Sequence, residues 1–160
     1  MYVDYMKAIT ERYSRLGYPP YDWFHADTPP PWRPLDKKLS DCKVSMMSTS
    51  GAYVAGQVAY FYKDDTSTRR IPKSTPTEDL RFSHITENYL VDPRRDPNCI
   101  FPIDALRRLE VDGTVGAVAD DLFSCMGGIY SKRRVAEELA PAVHQNFKAQ
   151  NVDAALLVAM

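Results

Sequence analysis

The chain has 160 residues, 44% of them hydrophobic and 26% charged, with 20 Lys+Arg against 21 Asp+Glu and a formal net charge of -1. That length suits one domain with a single core, and the charge balance lacks the basic footprint expected for partners such as nucleic acid or an anionic membrane surface. No apolar run approaches the ~20 residues of a membrane helix, and the opening Met1-Tyr-Val-Asp-Tyr-Met-Lys7 lacks the pattern of a secretory signal. Cys42, Cys99 and Cys125 therefore read as reduced thiols of a cytoplasmic protein, and their spacing matches no zinc site.

Along the chain, Met6, Ile9, Tyr13 and Leu16 recur at helical steps, predicting a helix over 3–16 that Gly17 stops. The stretch 17–34 carries Pro19, Pro20, Pro29, Pro30, Pro31 and Pro34 together with Tyr18, Tyr21, Trp23, Phe24 and Trp32. Prolines exclude helix interior and central strand, so it reads as an extended arm whose rings pack on a surface. The expected organisation is a helix and Pro/aromatic arm over 1–40 and an α/β domain over 41–160.

Cys42 to Ser48 is the first strand, followed by the small turn Thr49-Ser50-Gly51. The period of Ala52 to Tyr62 fits neither element, Lys63 to Arg70 reads as polar loop, and Leu80 to Ile85 as a second strand. The pairs Arg69-Arg70 and Arg94-Arg95 read as solvated loop charges. Ile103, Ala105, Leu106 and Leu109 form the face of a short helix closed by Gly113, and Val115 to Ala119 is a short apolar stretch. Phe123 to Gly128 leads to a double glycine, and Ser131 is placed to cap the next helix. There Val135, Leu139, Val143 and Phe147 form a core-facing stripe, with Pro141 kinking it or beginning a second helix. Val152 to Met160 has the pattern of a strand buried on both faces of a parallel sheet. The alternation predicts an α/β fold, a mostly parallel sheet with flanking helices and the extended N-terminal arm. Functional loops of such sheets gather at the carboxyl ends of strands, where the last run stops; by residues alone it is equally an edge strand at a domain end.

Arg15-Leu-Gly-Tyr-Pro-Pro-Tyr-Asp-Trp23, Gly51-Ala-Tyr-Val-Ala-Gly-Gln-Val58, Ser83-His84 and Arg94-Arg-Asp-Pro-Asn98 stand in that order. They are followed by Phe101-Pro-Ile-Asp-Ala-Leu-Arg-Arg-Leu109, Phe123-Ser-Cys-Met-Gly-Gly-Ile-Tyr130, Glu138-Leu-Ala-Pro-Ala142 and Val152-Asp-Ala-Ala-Leu-Leu-Val158. The ordered set resembles the selenoprotein B family of glycine, betaine, sarcosine and D-proline reductases, in a short stand-alone form. The resemblance implies an oxidoreductase that reductively cleaves a C–N or similar bond of a small amine or amino-acid-like substrate, with a dithiol/disulfide couple. It further implies a selenocysteine or cysteine directly after the last strand and another cysteine three positions on. Selenocysteine is encoded by UGA, so a chain read as ending at Met160 is expected to be truncated there and, by itself, inactive. The partners it implies are a small-molecule substrate and a thiol–disulfide reductant protein, with oligomers compatible; no cofactor is expected besides selenocysteine.

Within the chain, Ser48, Thr49, Ser50 and Gly51 are candidate substrate-binding residues, through N–H and hydroxyl donors suited to a carboxylate. The same residues also read as an ordinary strand-to-loop turn. His84 matches a family histidine and is the candidate catalytic side chain, able to orient or protonate a substrate; a structural histidine is the other reading. Gly127 and Gly128 permit close approach of a ligand, or a plain turn. Cys125 reads as buried packing, His25 and His144 as surface groups. The alternative function is a non-catalytic small-molecule-binding or partner subunit ending at Met160.

Overall fold

A computed structural model describes residues 4–20, 25–31 and 33–160, in two compact units, Met1–Pro34 and Leu35–Met160. In the first, α1 (Tyr5–Ser14) is capped by the Asp4 carboxylate, which accepts from the Lys7 N–H at 3.2 Å. Gly17, at φ +82°, closes it: the Gly17 N–H donates to Ser14 O and the Tyr18 N–H to Tyr13 O, the paired bonds of a Schellman end. Of the arm's rings expected to be buried, Tyr18 is 61% exposed and meets the Tyr13 ring edge-on, while Tyr21, Trp23, Phe24 and Trp32 lie outside the described residues.

The second unit is built on β1 (Lys43–Ser48), five of whose six residues are buried. The chain then forms β2 (Ala52–Val54), β3 (Arg69–Pro72), β4 (Leu80–Phe82), α2 (Ile103–Val111), β5 (Ala117–Val118) and β6 (Asp121–Ser124). It continues through α3 (Lys132–Arg134), a π-helical segment (Val135–Leu139), α4 (Ala140–Ala149) and β7 (Ala154–Val158). β5 and β6 pair parallel to successive parts of β1, β7 pairs parallel to β1, and β3 runs antiparallel beside β6. β2 and β4 make a separate antiparallel pair. The fold is thus α/β with a mostly parallel sheet and flanking helices, as the sequence pattern predicts.

Alternation along β1 divides the core. Val44 and Met46 point into a cluster with Ile71, Leu122, Phe101, Ile103 and Leu106, under α2. Met47 points to the other face, with Phe123, Cys125 and Leu139, against which Val143 and Phe147 pack. Leu139, Val143 and Phe147 of the predicted stripe therefore face the sheet, and Val135, half-buried, lines the groove beside it. Pro141 is the second residue of α4 and follows the π-helical segment without a break, so its missing N–H falls where the helical hydrogen-bond pattern changes from π to α. The step from the π-helical turn to α4 falls at that proline. The Gln150 amide, just past α4, accepts from the Asp121 N–H at 2.8 Å and donates to Asp121 O at 3.0 Å, substituting for a neighbouring strand at the start of β6.

Two expectations are corrected. Arg69–Pro72 is a strand and not loop; only Ile71 of it is fully buried, and Pro72 is tolerated because the strand lies at a sheet edge. Val152–Met160 does not supply a strand buried on both faces: β7 is an edge, with Leu156 41% and Leu157 73% exposed. An apolar run gives no information on how many neighbours a strand has, and among the described residues β7 has β1 alone. Ala52–Tyr62, unassigned by period, supplies β2, a turn and a coil that buries Tyr60.

The motif Arg94 to Asn98 finds a structural use. The Asn98 side chain accepts from the Asp104 N–H at 3.0 Å and donates to its carboxylate at 2.9 Å, and Thr77 and Arg107 bind the same carboxylate. Asn98 thereby satisfies a free N–H in the first turn of α2.

Candidate functional site

The carboxyl ends of the three parallel strands lie level, since Ser48 is in register with Ser124 of β6 on one side and Val158 of β7 on the other. Three turns therefore leave the sheet together: Thr49–Gly51, Cys125–Gly128 and Ala159–Met160. This is the end at which open α/β sheets place ligands. β4 brings a fourth, because Ser83 and His84 follow it directly and the Ser83 N–H donates to Gly51 O at 3.0 Å.

The predicted residues split into two groups here. Ser48, Ser50 and Gly51 are buried and spend their polar groups internally. The Ser48 hydroxyl donates to Ile100 O at 2.7 Å, Ser50 Oγ lies 3.3 Å from Ser124 Oγ, and the Gly51 N–H donates to Cys125 O at 2.8 Å. Gly51 adopts φ +64°, and a Cβ there would run into the Ser83 carbonyl. These residues form the joint between the two sheets. Thr49 is less committed: its N–H donates to Val158 O at 3.0 Å, and its hydroxyl accepts from the Met160 N–H at 3.0 Å.

Gly127 and His84 come together at the same end. A Cβ on Gly127 would lie 2.5 Å from His84 Nε2 and 2.9 Å from Thr49 O, so only glycine fits between them. Gly128 is buried, and a Cβ there would strike Ile85 and the Met126 sulfur. His84 Nδ1 faces the Thr86 N–H at 3.1 Å and the Thr86 hydroxyl at 2.6 Å, whereas Nε2 is buried with no hydrogen-bond partner among the described residues. Leaving such a group unpaired costs about 1–3 kcal/mol, so His84 is not a fully satisfied core histidine. Burial lowers its pKa, favouring the neutral ring. Thr86 was not predicted; its place two residues after His84, within reach of the ring, is the only signal the sequence offers.

Cys125 is 1% exposed and packs with Met47, Phe123 and Leu139. Burial, with a smaller contribution from the Asp65 charge, pushes its thiol up to about 12, the reverse of an activated nucleophile. Cys42 is also buried, and its thiol donates to Lys38 O at 3.2 Å. Cys99 is exposed, its pKa raised by desolvation and by Asp96 and Asp92. With an aromatic disulfide reagent under native conditions, Cys99 should be the one thiol that reacts, and slowly; the other two should appear only on unfolding. Native labelling of Cys125, located by peptide mapping, would contradict that burial.

Beside the site a groove of about 500 Å³ runs between the π-helical segment and α4 on one side and β7 on the other, lined by Met47, Thr49, Cys125, Leu139, Phe147 and Leu157. His144 is exposed at its edge, and His25 is exposed elsewhere. A second cleft, about 720 Å³, lies over β2 and β4 with Arg81, Arg94 and Arg95 and shares none of the predicted site residues. Among the described residues no three His, Cys, Asp or Glu side chains are grouped to hold a metal ion, and no helix is long and apolar enough to cross a membrane.

The sequence profile of glycine/sarcosine/betaine reductase selenoprotein B matches residues 80–160, the part that carries His84, Gly127, Gly128 and β7. D-proline reductase subunit gamma of Acetoanaerobium sticklandii is 34% identical over 133 residues, covering 82% of this chain and 54% of that protein. The chain thus spans about half the length of that relative. No solved structure matches. On these two similarities, collinear with the motifs that led to the same place, the chain belongs to the glycine/sarcosine/betaine reductase selenoprotein B family.

Proposed function

We propose that this chain is the substrate-facing part of a selenoprotein B-type reductase that cleaves a C–N, or similar carbon–heteroatom, bond of a small amine or amino-acid-like substrate. The observation that carries the reading is the unpartnered Nε2 of His84 at the carboxyl ends of β1, β6 and β7. The Met160 N–H donates to the Thr49 hydroxyl, and the Thr49 carbonyl lies beside Gly127, which ties the end of β7 to the turns around His84. A selenocysteine or cysteine at that position would supply the nucleophile that takes the carbon while the amine leaves with a proton. A neighbouring thiol would then release the product, and an external dithiol would end as the disulfide.

In this scheme His84 supplies the polar contact to the substrate, and the Gly127–Gly128 turn covers it and must shift to admit a ligand. Ser48, Ser50 and Gly51 hold the joint on which His84 is mounted. The apolar groove along β7 would receive the helix–strand unit expected to follow the nucleophile. The subunit name of the relative supports partner proteins as well as substrate.

The test begins with the nucleotides after codon 160, where UGA is expected, with a cysteine codon three positions further on. The full-length product should then consume dithiol with a small amine such as D-proline or glycine, and His84→Ala should lower turnover by about 10- to 100-fold, the loss of one hydrogen bond to a charged group. The 160-residue chain alone should be inactive, since no thiol among its described residues is activated. A UAA or UAG codon, or dithiol turnover by the 160-residue chain, would overturn the proposal. The first result would favour the non-catalytic binding subunit.

A further inference from the structure

The two nitrogens of His84 are in unlike surroundings. Nδ1 lies 3.1 Å from the Thr86 backbone nitrogen, with that N–H aimed at it, and 2.6 Å from Thr86 Oγ1. A backbone N–H can only donate, so Nδ1 must be an acceptor. In a neutral imidazole the single proton is then on Nε2, the nitrogen that is buried, unpartnered and set against Gly127. Protonating Nδ1 would bring two donors face to face, so the same contact opposes the imidazolium. We infer that Thr86 is a positioning residue that locks His84 as the Nε2–H tautomer, so that the ring presents a hydrogen-bond donor, and not a base, toward Gly127.

The chemical consequence narrows the role of His84, and it rests on the reading of His84 as a substrate-facing residue. A neutral Nε2–H seeks an acceptor oxygen, and a carboxylate oxygen of an amino-acid-like ligand is the strongest that such a substrate offers. Proton abstraction by Nε2 is excluded while Nδ1 is held by the Thr86 N–H. The hydroxyl adds a second donor to the same nitrogen and keeps the ring from rotating, a division of labour resembling the oriented histidines of acid–base sites.

Two-bond 1H–15N spectra of uniformly 15N-labelled protein report tautomers directly. In the wild type near neutral pH, the His84 Nδ1 resonance should be that of an unprotonated nitrogen and Nε2 that of a protonated one. Thr86→Ser, which keeps both donors, should preserve the pattern. Thr86→Val keeps the N–H that forbids a proton on Nδ1, so the Nε2–H pattern should persist, with the Nδ1 resonance shifted by the loss of the hydroxyl contact. A wild-type ring protonated on Nδ1, a Thr86→Val ring exchanging between tautomers, or a Thr86→Val Nδ1 resonance identical to wild type would overturn the positioning role. Turnover of the full-length product decides the other question separately. A locked Nε2–H tautomer in a protein whose turnover is insensitive to His84→Ala would sink the substrate-facing reading and leave the tautomer assignment standing.

Discussion

Gly51→Ala should destabilise the domain by at least about 3 kcal/mol, lowering its melting temperature by about 10 °C or more. Two effects add. The backbone is at φ +64°, a region that costs a residue with a Cβ about 1–2 kcal/mol. The new methyl would also run into the Ser83 carbonyl, a backbone atom that cannot swing aside as a side chain can. That carbonyl cannot retreat cheaply, because the Ser83 N–H is tied to Gly51 O and the Gly51 N–H to Cys125 O. Gly56→Ala is the control: φ is +96° but nothing lies within 4 Å, so only the conformational part is lost. Denaturant midpoints for the two variants separate strain from collision. Equal losses would mean that the Gly51–Ser83 contact relaxes freely and that the joint is softer than its hydrogen bonds imply.

The same residue shows what was legible in the sequence and what was not. Gly51 and its neighbours were recognisable as special, because a small-residue turn after an apolar strand needs a reason. The reason was not recognisable, since the partners Ser83, Ser124 and Cys125 are 32 or more positions away along the chain. A turn that cradles a ligand and a turn that welds two sheets have the same local composition. By contrast Leu139, Val143 and Phe147 were readable as a buried face, because helical spacing alone determines which side they share. β1 was readable because a run of buried residues needs no partner to be named. β3 was not, because one buried side chain in Arg69-Arg70-Ile71-Pro72 gives no period. His84 became a candidate through its family resemblance. Its unpartnered nitrogen, and the threonine that makes that nitrogen the donor, are facts of three-dimensional placement.

Phe123→Ala should cost about 3–5 kcal/mol, the usual range for deleting a buried phenylalanine. Phe123 is 1% exposed, stands opposite Met47 in β6, and forms an edge-to-face pair with Phe147, ring centroids 5.7 Å apart at 74°. It is thus the main aromatic anchor of α4 on the sheet. Phe147 is only half-buried, so Phe147→Ala should cost about half as much, following the smaller apolar area lost. The double variant should be less destabilised than the sum by about 0.5–1.5 kcal/mol, the coupling of an aromatic pair. The helix has a second attachment, the Gln150 amide on Asp121, which is polar and survives both truncations. Loss of Phe123 should therefore loosen α4 along the groove while leaving its carboxyl end in place, visible as faster amide exchange over 140–147 than over 148–152. Uniformly faster exchange through α4 and the start of β7 would show that the aromatic pair is the whole attachment and that the glutamine clamp holds nothing.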